Sequence, residues 1–447
     1  MNHLKEILSP KVDRDGGEDG SSRRQMWLIT GAFLLVQLFI WSEVFQNFWF
    51  ISKATVDVHE YYRYAQYIAA GYWPYRDFPV EYPPLSLLVF YLPRLISTHV
   101  IIWGAGYNSY FFWFQAETFL LSCGSVVAIA ATAWQIWRSR AKLIAALLSY
   151  SIFIVAIGSL VEVRYDIAVA FLLMAGIAFF IRGKKSAAWV FLGLGFSLKI
   201  VPILVAPLFL IVHFHKGEKK EMWRGPLLMG ATIVVLFLPF IVSGASGVMG
   251  SFLNLDRRPL EVESTLALPY LWAGNLDHQP VKTDSHFGSL NIVPSYGTAV
   301  GIAAAVILLT LLEISYMRFA NSFPDKQNWH VNLIRYATIM MVAFIVFGKV
   351  FSPQYLIWLI PLMSLMMPAG KKAVAGLFAA TLLLTQYEFP YHWRQMAQFA
   401  RFMLTEITLR NVLLIIILVL LFFYREDLQR VRVRSGTGQG QEQLEKG

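Results

Sequence analysis

Residues 57–85 read Asp57-Val-His-Glu60-Tyr-Tyr-Arg63 at their start and Gly71-Tyr-Trp-Pro-Tyr-Arg-Asp-Phe-Pro-Val-Glu-Tyr-Pro-Pro-Leu85 at their end. This segment is polar, aromatic and broken by proline, and it follows Met26 to Ile51, a run that is almost wholly apolar. A chain that sets its carboxylates and guanidiniums just after an apolar run of bilayer length keeps its chemistry outside the hydrocarbon.

The remainder of the chain repeats this contrast. Of its 447 residues, 57% are hydrophobic and 15% charged, and mean hydropathy is +0.53. Apolar stretches approaching about twenty residues recur along the whole length, more apolar surface than one water-soluble core can bury. The expected class is a polytopic, all-α membrane protein, because every backbone polar group must be paired inside its own segment and the alternating strands of a barrel are absent. The net charge of +10 belongs, in such a protein, to cytoplasmic loops, and no nucleic-acid partner is expected. Cys123 is the single cysteine, so no internal disulfide forms, and its apolar setting makes it a packing residue.

Basic clusters punctuate the chain: Arg138-Ser-Arg140-Ala-Lys142, Arg182-Gly-Lys184-Lys185, Lys216 to Arg224, Arg318 to Lys326, Lys371-Lys372 and Arg425 to Arg434. With all of them cytoplasmic, the stretches between them cross twice. That parity predicts spans at 26–51, 110–137, 142–161, 167–182, 187–198, 200–214, 226–244, 295–317, 333–350, 354–368, 373–388 and 411–424. Twelve crossings put both ends in the cytoplasm, with 1–25 a polar tail, 26–424 the membrane domain and 425–447 a disordered basic tail. The first span is too long, and lacks the small-residue site, for a cleaved signal peptide. Residues 83–97, apolar but carrying Pro93 and Arg94, are expected to lie as a helix on the outer leaflet. Residues 187–214, basic at both ends, read as two short helices turning at Lys199 and Pro202; a single tilted helix is the alternative.

This topology gathers ionisable groups at the outer surface. Asp57, Glu60, Arg63, Arg76, Asp77 and Glu81 come from the first loop (about 52–109), and Glu162, Arg164 and Asp166 from the second. Lys199 comes from the third turn, and Arg257, Arg258, Asp277, His278, Asp284 and His286 from the long loop 245–294. Lys349 precedes Phe351-Ser-Pro-Gln354-Tyr355, and Arg394, Arg401 and Arg410 lie in the last external segment. A transporter is expected to hold such groups near the midplane on broken helices, in repeated halves.

Asp57, the Gly71–Phe78 run and Glu81-Tyr-Pro-Pro-Leu85 are followed by Arg164-Tyr-Asp166, Gly193-Leu-Gly-Phe-Ser-Leu-Lys199-Ile-Val-Pro202 and Phe351-Ser-Pro-Gln-Tyr355-Leu-Ile-Trp358. Over residues 26 to 368 this order resembles the GT-C glycosyltransferases, most of all glycosyltransferase family 87, whose characterised members are polyprenyl-phosphomannose-dependent mannosyltransferases. The resemblance implies an extracytoplasmic active site, a polyprenyl-phosphate sugar donor with mannose as the sugar, and an acceptor that is a glycolipid, polysaccharide or protein. It points to Asp57 as the general base of an inverting displacement. Asp57-Val-His-Glu60 departs from the paired Asp-x-Asp or Glu-Asp of sister families, and the metal requirement is left open.

The residue types suit that chemistry. A carboxylate takes the proton of the attacking hydroxyl, and Arg or Lys stabilises the leaving phosphate. Arg63, Arg76, Arg164, Lys199 and Lys349 are the phosphate-binding candidates, and Glu60, Glu81, Tyr82, Asp166, Gln354 and Tyr355 complete the substrate-binding set. Each has a plainer reading. Asp57 with Glu60 forms a capping-box pattern for a helix 58–70, and Pro83-Pro84 punctuates a helix start. Asp166 beside Arg164 reads equally as an N-cap with a local ion pair, and Lys199 and Lys349 as snorkelling side chains. No cofactor is expected, no histidine has metal-ligand spacing, and no Gly-rich phosphate loop occurs. The competing functions are a transporter or lipid-linked sugar flippase, and a glycan ligase working through the 245–294 loop with Arg257, Arg258 and His286.

Overall fold

The computed structural model describes residues 20–46, 55–257, 259–279, 281–286, 288–293, 297–323 and 329–423. Most of the 1–25 tail, the 425–447 tail with its Arg425 to Arg434 cluster, Arg258, and the side chains of Arg257 and His286 lie outside the described residues.

The first apolar run is α1 (Gly20–Val44). The opening polar segment forms α2 (Val56–Ala69), and α3 (Pro84–His99) begins at a proline whose missing N–H costs nothing in the first turn. Then come α4 (Tyr107–Trp137), α5 (Arg140–Ile157), α6 (Asp166–Ile181), α7 (Lys185–Leu198), α8 (Val201–His215) and α9 (Lys219–Arg257). The long loop contains α10 (Leu268–Leu276) and a hairpin, β1 (Thr283–His286) against β2 (Ser289–Ile292), antiparallel with Thr283 opposite Ile292. The chain is therefore nearly all-α rather than all-α. It continues through α11 (Gly297–Asn321), α12 (Trp329–Phe347), a turn Pro353–Leu359 leading into α13 (Ile360–Ser364), α14 (Lys372–Gln386), α15 (Trp393–Ala397) and α16 (Arg401–Phe422).

Helix occurs at each of the twelve expected segments, and among the described residues seven helices are long and apolar enough to cross a membrane: α1, α4, α5, α9, α11, α12 and α16. That is the mark of a multi-pass membrane protein. In the most apolar windows, α12 is 78% buried and α9 only 11%. The apolar side chains on α9, such as Val235 and Val242, are exposed in the isolated chain; in water that would be costly, in lipid it is not.

Three boundaries differ from expectation for local reasons. The expected span 226–244 stops where α9 kinks, at Gly244 (φ −163°, ψ 54°), and the helix goes on to Arg257. The last helix starts at Arg401, ten residues before the expected 411, so Glu406 and Arg410 lie inside it. Asp57 sits in the first turn of α2, and the N-cap position belongs to Thr55, with no side-chain cap; the capping-box reading of Asp57 does not hold.

Residues 187–214 form a pair of helices. Lys199 is extended (φ −154°, ψ 145°) between α7 and the turn that opens at Val201-Pro202. Trp189 at the start of α7 donates from Nε1 to His213 Nε2 near the end of α8, at 3.3 Å, so the chain reverses at Lys199. The same end of the bundle brings Lys185 to Glu218 at 2.6 Å, Phe323 beside His215, and Arg335 Nε to the Leu421 carbonyl at 2.7 Å. Several of the basic clusters thus share one end, and Lys199 marks the other.

The turn Gly71–Phe78 docks on α9. Trp73 donates through its indole to Ser243, and Tyr75 adopts a left-handed φ of 66°. A methyl on Gly247 would stand 1.9 Å from the Tyr75 carbonyl oxygen. Gly247→Ala is expected to destabilise the protein by about 1–3 kcal/mol through forced displacement of this turn, read as a lowered thermal midpoint in detergent. An unchanged midpoint would mean that the turn is not held on α9.

Candidate active site

Arg164-Tyr165-Asp166 leads into α6, and the geometry begins with how the chain reaches it. Gly158 ends α5 at φ 72°, and a Cβ there would lie 2.1 Å from Gln386 Nε2. Only glycine satisfies both the turn and the contact. The tight stretch Gly158–Glu162 follows, and Asp166 then occupies the first turn of α6, where the helix dipole favours an anion.

The two charges of this tripeptide face different partners. Arg164 Nε lies 3.1 Å from Asp57 Oδ2, and Asp166 Oδ1 is 2.5 Å from Lys199 Nζ. The same Asp166 oxygen accepts from Trp358 Nε1 at 2.7 Å. Tyr165 stands between, edge-on to Tyr61 at 5.8 Å and Tyr82 at 5.4 Å. The Lys199 ammonium lies 4.9, 5.1 and 4.8 Å from the rings of Tyr165, Tyr355 and Trp358, a cage in which each ring adds a cation–π attraction of about 0.5–2 kcal/mol. Tyr355 and Trp358 are presented by the Pro353–Leu359 turn. Ser352 is extended because it precedes proline, and Pro353 then opens the turn.

Asp57, Arg164, Asp166, Lys199, Tyr82 and Tyr355 are thus brought together from segments more than 290 positions apart in the chain. The two carboxylates differ. Asp166 is 1% exposed with one oxygen held by two donors, whereas Asp57 is 29% exposed opposite an Arg164 that is 4% exposed. Asp166 fixes Lys199, and Asp57 is the carboxylate with an accessible face.

Glu60, Arg63 and Arg76 are paired away from this group. Glu60 and Arg63 pair with each other on the exposed side of α2. Arg76 pairs with its neighbour Asp77 at 2.8 Å, and that guanidinium, with the Trp73 N–H, holds the Asp77 carboxyl at about 2. Glu81 is exposed. The Tyr82 carbonyl accepts from the Tyr75 hydroxyl at 2.5 Å. The Lys349 carbonyl accepts from Glu261 N at 3.0 Å, and Gln354 is half-buried on the turn before Tyr355.

A second charged group, missed in the sequence apart from Arg410, borders the first. Arg410 is fully buried, with Nη1 2.5 Å from Glu388 Oε2 and Nη2 donating to the Glu263 carbonyl at 2.9 Å. Its Nε donates to Asn411 Oδ1 at 3.0 Å, and its guanidinium lies 4.3 Å from the Phe351 ring. Glu261, Glu263 and Glu406 are buried around it. The groups touch through two short segments. Arg164 lies over the Phe389 ring at 5.6 Å, next to Glu388, and Ser352 donates to Glu261 Oε1 at 2.9 Å three residues before Tyr355. The readable signal was Glu406 and Arg410, four apart in an apolar run.

No protein-family model and no curated protein matches this chain. Among the described residues, no three His, Cys, Asp or Glu side chains are grouped so as to hold a metal ion. A cleft lined by Gly183, Lys184, Lys185, Glu221 and Arg224 lies at the far end of α6 from Asp166, about 24 Å away by helix rise. It belongs to the basic end of the bundle, not to the Asp57–Lys199 group.

Proposed function

We propose that this protein is an integral membrane glycosyltransferase of the GT-C kind, moving a sugar, mannose by resemblance, from a polyprenyl-phosphate donor to a glycolipid, polysaccharide or protein acceptor at the extracytoplasmic face. The observation that carries this reading is the joining of Asp57–Arg164 to Asp166–Lys199 at helix ends. An accessible carboxylate and a caged ammonium there stand close together, through one tripeptide.

In the proposed reaction the acceptor hydroxyl attacks the anomeric carbon and gives its proton to the Asp57 carboxylate. The bond from the anomeric carbon to the phosphate oxygen breaks, and its electron pair leaves with the polyprenyl phosphate, inverting the configuration. Arg164 orients Asp57 through their ion pair. Lys199, anchored by Asp166, meets the charge that develops on the phosphate. The donor's tail lies in lipid, so its phosphate reaches such groups only near the interface. Arg63, Arg76, Glu60, Glu81 and Lys349 have smaller parts in this reading than expected, because they pair elsewhere or stand exposed.

All twelve helical segments cross in this reading, with α6, α7 and α8 as short spans. At 14–16 residues, α6 and α7 reach about 21–24 Å, a little less than the hydrocarbon thickness, which would put Lys199 just under the outer interface. In a Cys123→Ser background, cysteines at Glu60 and Asp284 are expected to react with an impermeant maleimide from outside, and those at Lys184 and Lys220 only after permeabilisation. The reverse pattern for either pair sinks the crossing order.

The function is tested with purified protein in proteoliposomes supplied with radiolabelled synthetic polyprenyl-phosphate sugars. Transfer to a lipid or glycan acceptor is expected, fastest with mannose. Movement of labelled donor across the bilayer without any transfer would favour the flippase reading instead, for which the buried Arg410 group on broken helices is the supporting observation.

A further inference from the structure

Glu263, Glu388 and Glu406 have no part in the chemistry proposed above. They sit where three pieces of chain meet: the strap 259–267 that carries the long loop, the break Tyr387–Tyr391 after α14, and α16. The strap is tied down at several points. Arg410 Nη2 and Asn411 Nδ2 both donate to the Glu263 carbonyl, at 2.9 and 3.1 Å. Val262 N donates to the Leu290 carbonyl and Ile292 N to the Leu260 carbonyl, at 3.1 and 2.9 Å, so the hairpin moves with the strap. Leu260, Val262, Leu268 and Leu271 pack with Met403, Leu404 and Ile407 in a small core of their own.

The charges at this junction do not balance. Three carboxyls, Glu263, Glu388 and Glu406, face one guanidinium, that of Arg410, and all of them are buried. Glu263 Oε1 is 3.8 Å from Arg410 Nη1, and among the described residues it has no hydrogen-bond partner; neither do Glu388 Oε1 or the two Glu406 oxygens. Ionising all three would leave two uncompensated negative charges in a buried junction, a state that burial penalises by several kcal/mol per ion. A proton between neighbouring carboxyls relieves this, as it does wherever two carboxylates share one site.

We propose that the Glu263 carboxyl holds a proton beside Glu388 in the closed structure, and that this proton latches the strap and its hairpin onto α16, so that losing it releases them. Burial, then the neighbouring Glu388 and Glu261 against an opposing Arg410, pushes the Glu263 carboxyl well above the ordinary range. The groups facing it are Glu261 on its own strap, Glu388 from the break, and Arg410 and Glu406 from α16; Lys349 touches the strap through its carbonyl. A carboxyl raised in the closed state and ordinary in the open one binds more protons when closed. Closure is therefore complete below the ordinary carboxylate range and is lost as pH rises through the raised value, by up to about tenfold per pH unit for one proton. Release would reach the neighbouring site, because Glu261 holds Lys349 and Ser352, which lead into Tyr355 and Trp358 around Lys199.

The test is hydrogen exchange of the full chain in nanodiscs between about pH 5 and about pH 9, corrected for intrinsic exchange. Peptides spanning 260–264 and 289–293 are expected to lose protection by up to about tenfold per pH unit over part of that range, while α12 peptides keep theirs. Glu263→Gln and Glu388→Gln, each neutral and isosteric, are expected to flatten the profile. A flat wild-type profile, or a slope that survives in whichever of the two variants folds, overturns the latch; neither outcome depends on the transfer reaction.

Discussion

Asp57→Asn is expected to lower sugar transfer by about 10²- to 10⁴-fold, the usual contribution of a positioned general base. Asparagine keeps the size of the side chain and its place in the first turn of α2, but it takes no proton from an attacking hydroxyl. Its partner Arg164, 4% exposed, loses its counter-charge as well, so part of the deficit will come from a disordered site. Asp57→Glu separates the two effects. It restores a carboxylate that reaches Arg164 with one more methylene, and it should recover folding more fully than activity. The measurement is single-turnover transfer from a saturating lipid-phosphate donor, with a thermal melt on the same preparation. Transfer within twofold of wild type would remove Asp57 as the base. Asp166 gives a less clear answer, because its fully buried carboxylate holds both Lys199 and Trp358, and any loss there mixes chemistry with collapse of the cage.

Removing Arg410 is expected to have the largest effect on stability. Arg410→Met keeps a long apolar stem against Phe351 but leaves Glu388 and Glu263 facing each other with no positive charge, and breaking a buried pair on one side costs about 3–5 kcal/mol. The Glu263 carbonyl also loses one of its two donors. Adding Glu388→Gln to Arg410→Met should recover a substantial part of the loss, because the uncompensated charge goes with it. Thermal unfolding of the two single variants and the double in one detergent completes the cycle. Strict additivity would mean that Glu388 and Arg410 do not act as a unit.

Much of the framework was readable from local pattern. Apolar runs and basic punctuation pointed to twelve segments, each of which contains helix, seven of them long and apolar enough to span, and the reversal at Lys199 followed from basic residues at both ends of 187–214. The boundaries that slipped did so for a definable reason. A hydropathy pattern registers where side chains turn polar, whereas a helix ends where its backbone bonds end; α16 therefore begins at Arg401, and carries Glu406 and Arg410 inside. In the same way Asp57 looked like a cap because its spacing to Glu60 fits one, yet Thr55 holds that position.

Composition and spacing by themselves determined a helical membrane chain and a list of charged residues at helix ends. They did not determine which charge faces which. Arg164 and Asp166 are two residues apart and were candidates for a pair with each other, but the turn into α6 points one at Asp57 and the other at Lys199. Glu263 and Arg410 are separated by 147 positions and meet only because the strap folds back on α16. An ion pair is decided by distance and burial in three dimensions, and neither quantity is a property of sequence neighbours.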